Sequence, residues 1–309
     1  MSLYVKTGSY TGSGSGTNTI TLDHPAKAFF IWGPAQASIT AFGARIKTNT
    51  MGANDSKGTA GQIYTDGNIT FSGNDVVLGG TSTNGMNISA KEYHWLALGG
   101  TGCVTGSYTG SGADNRDITG LGIDPDLVIA MSINSGDVPT QKTTSSVKTT
   151  DTSRRLSSAS YAADKIQALI TDGFQVGTST DVNRNTALAH YIAIQKDGNS
   201  TIFNEGTYTG TGADNRDITG VGFNPTFVFA NRVTTPSNTR VRSAETTDTA
   251  SSLSAANTAV NTIQSLITDG FQIGSSADVN ANTETYYWFA FADGESVDVS
   301  NTSNFFQML

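Results

Sequence analysis

Apolar residues in this chain come in short runs separated by glycine and small polar residues. LVIAM at Leu127–Met131 and FVFA at Phe227–Ala230 are continuous apolar runs bounded by turn residues and too short for helices, so they predict buried strands. HYIAI at His190–Ile194 and YWFAF at Tyr287–Phe291 are further runs of this kind. The Tyr-Thr-Gly and Ile-Thr-Gly pieces alternate bulky or β-branched residues with small ones and predict shorter strands joined by tight turns. One stretch departs from the pattern. In AADKIQALI, Ile166, Leu169 and Ile170 fall at helical spacing, and Ile263, Leu266 and Ile267 repeat it. That spacing predicts one short helix packed on a sheet, with an irregular strand as the alternative. The whole pattern predicts a mainly all-β chain of two-sheet sandwiches, of jelly-roll type.

The runs recur in a fixed order, which points to internal repeats. GSYTGSGADNRDITGLGIDPDLVIA from Gly106 lines up with GTYTGTGADNRDITGVGFNPTFVFA from Gly206. TDGFQVG at Thr171 then pairs with TDGFQIG at Thr268, each followed by a DVN tripeptide at Asp181–Asn183 and Asp278–Asn280. A divergent third copy opens the chain. It has GSYTGSG at Gly8, Pro25 before AKAFFIW, TDG at Thr65–Gly67 and YHWLAL at Tyr93–Leu98. Three modules of a usual domain size follow, 1–103, 104–203 and 204–309, with glycine-rich or polar junctions between them.

Composition narrows the class. A net charge of −8 disfavours nucleic acid and anionic membrane as partners, since both require a basic surface. The single cysteine, Cys103, excludes an intrachain disulfide and reads as part of a linker. The opening residues lack the apolar run of a signal peptide and no segment is long enough to span a bilayer, so a soluble protein without membrane insertion is expected.

The repeated GADNRDITG is the natural place to look for chemistry. Asp114, Asn115 and Asp117, with Asp214, Asn215 and Asp217 in the next copy, are candidate calcium ligands, because hard cations take clustered loop oxygens. The preferred reading is a structural corner in which Asp and Asn bond the local backbone and Arg116 or Arg216 pairs with an acid. No cofactor and no catalytic residue are expected, for HExxH, GxSxG and GxxxxGK[ST] are all absent. His94 and His190 occupy matching positions that the third module fills with an aromatic residue, which reads as packing rather than a general base. Tyr10, Tyr108 and Tyr208 could line either a core or a sugar-stacking groove, and the three tryptophans read chiefly as core.

The copies differ in charge, with net values of +1, −2 and −7 from six basic and five acidic, eight and ten, and four and eleven residues. Module one carries Trp32 and Trp95 and is the expected docking module, with modules two and three folding without it. The apolar tail, Phe305, Phe306, Met308 and Leu309, is a second candidate contact, or else a last strand of module three.

The succession YTGTGADNRDITGVGFNP, FVFA, DGFQIG, VN and YYWFAF resembles a repeated module of structural proteins of tailed bacteriophages. The resemblance implies compact β-sandwich modules of lectin-like or jelly-roll appearance and a non-enzymatic place on the virion surface, the chain being made in the host cytoplasm. Its implied partners are other virion proteins, the major capsid protein above all, with self-association and a host-surface glycan as further possibilities. Three like modules and no coiled-coil heptads favour a capsid decoration or cement protein over a tail fibre or receptor-binding, carbohydrate-binding adhesin.

Overall fold

The computed structural model describes residues 1–33, 44–57, 63–81, 85–134, 136–145, 151–156, 161–198, 201–233, 237–246, 250–252 and 258–296. Module one holds β1 (Leu3–Thr11), β2 (Asn18–Thr21), β3 (Ala26–Trp32), β4 (Arg45–Thr48), β5 (Asp55–Lys57), β6 (Ile63–Tyr64), β7 (Ile69–Ser72), β8 (Asp75–Leu78) and β9 (Glu92–Gly100). Module two holds β10 (Cys103–Thr109), β11 (Arg116–Thr119), β12 (Leu127–Ser132), β13 (Thr140–Thr143), β14 (Thr152–Arg155), β15 (Tyr161–Ala163), β16 (Ile166–Ile170), β17 (Gly173–Val176), α1 (Thr180–Asn183) and β18 (Leu188–Ile194). Module three holds β19 (Phe203–Thr209), β20 (Arg216–Thr219), β21 (Phe227–Arg232), β22 (Arg240–Ser243), β23 (Ala250–Ser252), β24 (Thr258–Ala259), β25 (Ile263–Ile267), β26 (Gly270–Ile273), α2 (Ala277–Asn280) and β27 (Thr285–Phe291), after which comes β28 (Gly294–Glu295).

Strands nine apart in this numbering are equivalent. The larger sheets run β1-β9-β3-β4-β5-β6, β10-β18-β12-β13-β14-β15 and β19-β27-β21-β22-β23-β24, and the smaller ones β2-β8-β7, β11-β17-β16 and β20-β26-β25. Each pair of sheets forms a sandwich. In module two, Ile118, Ile166, Phe174 and Val176 of the small sheet pack on Val128, Ala130, Ala189 and Tyr191 of the large one. The all-β class is therefore the observed one.

The continuous apolar runs have a specific cause. Side chains alternate across a strand, and each large sheet is buried on both faces. Along β12, Val128 and Ala130 face the module's own core, while Leu127, Ile129 and Met131 enter a second core shared with the other modules. Phe30, Leu96 and Leu98 from module one and Phe227, Phe229, Phe289 and Phe291 from module three enter that same cluster. They leave an apolar void of about 10 Å³, at the lower limit for holding one water.

Head-to-tail contacts close the three modules into a ring around this core. From module one to two, Lys27 Nζ donates to the Cys103 carbonyl at 3.0 Å and Thr105 Oγ1 to Asn49 Oδ1 at 2.6 Å. From two to three, the Ser145 N–H donates to Glu205 at 2.8 Å, Arg154 donates to the carbonyls of Arg232 and Ser237, and Tyr161 sits edge-on to Tyr287. From three back to one, Phe227 meets Trp32 edge-on at 5.6 Å, the Thr7 N–H donates to Asp293 at 2.9 Å, and β28 pairs with β1. Like interfaces repeated by a rotation that closes give a ring rather than a filament.

Three expectations change. The helically spaced Ile166, Leu169 and Ile170 lie on strand β16, and Ile263, Leu266 and Ile267 on β25. A bulge after Ile166, and another after Ile263, inserts one residue, so the inward positions fall three apart instead of two. The true helices are single turns over the DVN tripeptides, capped by Ser179 and Ser276. Cys103 is not in a linker but opens β10, fully buried in the shared core, and β19 likewise opens at Phe203. That same core opposes independent folding of modules two and three.

The repeated glycines fit close approaches. A Cβ on Gly106 would lie 2.3 Å from the Tyr191 hydroxyl, and one on Gly110 2.0 Å from the Arg184 carbonyl. Only hydrogen fits there, and Gly8, Gly12, Gly206 and Gly210 meet equivalent obstacles.

Candidate functional site

GADNRDITG forms a corner between the two sheets of its module. Asn115 and Asn215 adopt left-handed φ values of 54° and 55°, which asparagine tolerates better than most residues. Asp114 accepts from its neighbour Asn115 and from Gln167 Nε2 at 2.8 Å, while Asp117 accepts from Gln175 Nε2 at 2.9 Å. Asp214 and Asp217 repeat this with Gln264 and Gln272. The calcium candidates are thus tied by amides to different strands. Among the described residues no group of three or more His, Cys, Asp or Glu side chains could hold a metal ion.

Among the described residues no acid pairs with Arg116 or Arg216. Their guanidinium groups lie 5.5 and 5.7 Å from the ring centres of Tyr108 and Tyr208 and donate to the carbonyls of Thr109 and Thr209. Stacking on the ring and one carbonyl bond meet the needs of a half-exposed arginine. Asp172 of the TDG turn completes the corner, accepting from the N–H groups of Gly120 and Gly122. Asp269 does the same for Gly220 and Gly222.

The residue that anchors the corner was hidden in the DVN tripeptide. Asn183 is fully buried; its Nδ2 donates to the carbonyls of Ala113 and Gly177, both at 2.8 Å, and its Oδ1 accepts from Ser111 N at 2.9 Å. Asn280 makes the equivalent bonds to Ala213, Gly274 and Thr211. Module one, which lacks GADNRDITG, keeps the device: Asn87 donates to the Ser15 carbonyl and accepts from Ser13 N. The signal was an apolar-Asn pair, Met86–Asn87, Val182–Asn183 and Val279–Asn280, seven residues ahead of His94, His190 and Tyr287. Asn183→Ala removes three side-chain-to-backbone bonds and leaves the buried Gly177 carbonyl without its amide, so a loss of about 3 kcal/mol is expected in equilibrium unfolding.

The proposed contact aromatics are interior. Trp32 is 1 % exposed in the shared core and Trp95 is 7 % exposed in module one's own core, above Gly8, so neither presents a face to an outside partner. Tyr108 and Tyr208 are buried and donate to the carbonyls of Val182 and Val279, which removes them as sugar-stacking residues. Tyr10 is half-buried and donates to the Met86 carbonyl. Phe305, Phe306, Met308 and Leu309 lie outside the described residues.

His94, His190 and Tyr287 occupy equivalent buried places on β9, β18 and β27. His94 stacks on Trp32, and Tyr287 accepts from Asn231 Nδ2 at 2.9 Å. His190 meets module one through Thr50, as Tyr287 meets module two through Tyr161. Burial pushes the Cys103 thiol up to about 12, far from thiolate reactivity. His24 sits on the rim of an open groove of about 270 Å³ with Lys6, Asp23, Asp293 and Glu295; its Nε2 is 3.7 Å from Glu295 Oε1. No helix among the described residues is long and apolar enough to cross a membrane.

Residues 198–306, the span of module three, match the model of a domain of unknown function, DUF7483. No curated protein matches the chain.

Proposed function

We propose that this chain is a non-enzymatic structural protein of the tailed-bacteriophage particle surface, a capsid decoration or cement protein whose main partner is the major capsid protein. The observation that supports the reading is the closed ring. Three like modules around one core let a single chain present three similar faces, as a trimer would at a local threefold position of a shell. The sequence resemblance to phage structural modules supports the same reading.

The competing proposal is a tail fibre or carbohydrate-binding adhesin. It needs exposed aromatic faces for sugar stacking, and Tyr108, Tyr208, Trp32 and Trp95 do not supply them. Electron microscopy of intact particles labelled with an antibody to this chain separates the two. Label over the capsid shell is expected, whereas label at the tail tip would replace decoration by adhesion.

A further inference from the structure

The seam between modules one and two contains a buried imidazole with no place to put a second proton. His190 on β18 is 1 % exposed. Its Nδ1 and Thr50 Oγ1, which follows β4, share a hydrogen bond of 2.8 Å. Thr50 Oγ1 is itself bonded to Thr48 Oγ1 at 2.8 Å. On the other side of the ring, Nε2 is buried without a hydrogen-bond partner. The cross-strand neighbours are Met131 on β12 and Ser107 on β10, neither charged. The charged group that acts on His190 is Lys47 of β4, a cation whose Nζ donates to the carbonyls of Gly52 and Asn54.

The equivalent positions in the other modules differ. His94 Nε2 has Glu92 Oε1 at 4.0 Å, and this carboxylate works against the effect of burial on His94. In module three the place is taken by Tyr287. So His190 is the member of the set that would receive a proton beside a lysine and without a carboxylate.

We propose that the seam between modules one and two is an acid-sensitive latch, held shut while His190 is neutral and loosened when it is protonated. This goes beyond the decoration reading and does not depend on it. The imidazolium carries two N–H donors. One can be met by Thr50; the other is buried with no acceptor, next to Lys47, and is relieved only if β4 and the 49–52 turn move away from β10 and β18. Burial, reinforced by Lys47, holds the His190 pKa down to about 4. An unfolded histidine titrates near 6.5. The sign follows from proton counting. Between those values the open chain binds a proton that the closed seam does not, so closure is full above pH 6.5 and weakens as pH falls toward 4.

The test uses the intact chain and its His190→Gln variant, which cannot titrate but keeps an amide for Thr50. Hydrogen exchange and denaturant unfolding would be followed from pH 7.5 to 4. The wild-type opening constant is expected to rise by about 150-fold more than that of the variant, half the limit that 2.5 pH units of linkage set, because the closed-state imidazole is itself half-protonated at pH 4. The excess exchange should fall in residues 45–52, 103–109 and 188–194 and spare 203–209. Parallel pH profiles, or exchange that rises equally in 203–209, would overturn the latch. Should the variant fail to fold, the wild-type His190 resonance decides: titration near 4 supports the proposal, and titration at 6 or above rejects it.

Discussion

A chain that lacks residues 1–102 is expected not to yield folded modules two and three. The reason is the shared core. Truncation strips Phe30, Trp32, Ile46, Leu96 and Leu98 from one side of it and exposes Leu127, Ile129, Ile194, Phe227, Phe229, Phe289 and Phe291 on the other. Burying a large apolar side chain stabilises by roughly 1.5–3 kcal/mol. Partial exposure of half a dozen such groups therefore costs on the order of 10 kcal/mol, comparable with the entire stability of an ordinary domain. The truncated chain should bind hydrophobic dyes, associate, and show no sharp thermal transition. A linear array would behave otherwise, because each repeat there touches only its neighbours and end repeats can be removed with local effect. A monomer with a cooperative transition within a few degrees of the full chain would show that the shared core is dispensable. The same geometry locates β28: its pairing with β1, together with Asp293 bonded to Thr7 and Thr226, closes the ring at the seam where chain continuity does not.

Why was the ring invisible in the sequence while the modules were plain? The modules announce themselves through local necessity. GSYTG and its variant GTYTG recur because glycine alone fits under Trp95, Tyr191 and Trp288, and TDG recurs in modules two and three because its aspartate caps the corner, whereas Asp66 of module one precedes β7 and bonds Arg45. The shared core leaves a subtler trace. Unbroken apolar runs such as LVIAM say that both faces of a strand are buried, but not that the second face meets two other modules. The helix expected over AADKIQALI fails for a similar reason, since a bulge at one residue mimics helical spacing. The matching of His94, His190 and Tyr287 marked a special place, and seam packing is what it marks. Trp32 and Trp95 were legible as core from their apolar surroundings, and an outward role was suggested by the charge differences between modules and by the divergent first module's carrying two of the three tryptophans.

Asp181→Ala is expected to be the most damaging single substitution in module two, costing about 3–5 kcal/mol. Asp181 is fully buried and accepts from Arg155 Nε at 2.6 Å, Arg155 Nη2 at 3.0 Å, Lys165 Nζ, and the Val138 N–H at 3.0 Å. Burial works to raise its pKa, but the bonds from Arg155 and Lys165, aided by Val138, outweigh it and hold the carboxyl below the ordinary range. Removing the carboxylate strands the buried Lys165 ammonium, which is the main source of the cost. Module three supplies the control. Asp278 is bound by Arg240 from β22 instead of an arginine on the next strand, and Thr262 stands where Lys165 does. No lysine is stranded there, but the buried Arg240 loses its carboxylate, so Asp278→Ala should still cost a few kcal/mol, reduced only by the 20 % exposure of the Asp278 side chain. Adding Lys165→Met to Asp181→Ala should recover part of the loss. The pH dependence is fixed by the lowered pKa. Stability from Asp181 is present above the ordinary carboxyl value near 4 and is lost as pH falls through the depressed one. The gap between wild type and Asp181→Ala, measured by urea unfolding, should therefore be widest above pH 5 and close in stronger acid; a gap that stays constant to pH 2 would mean that the carboxylate's charge is not what holds this site.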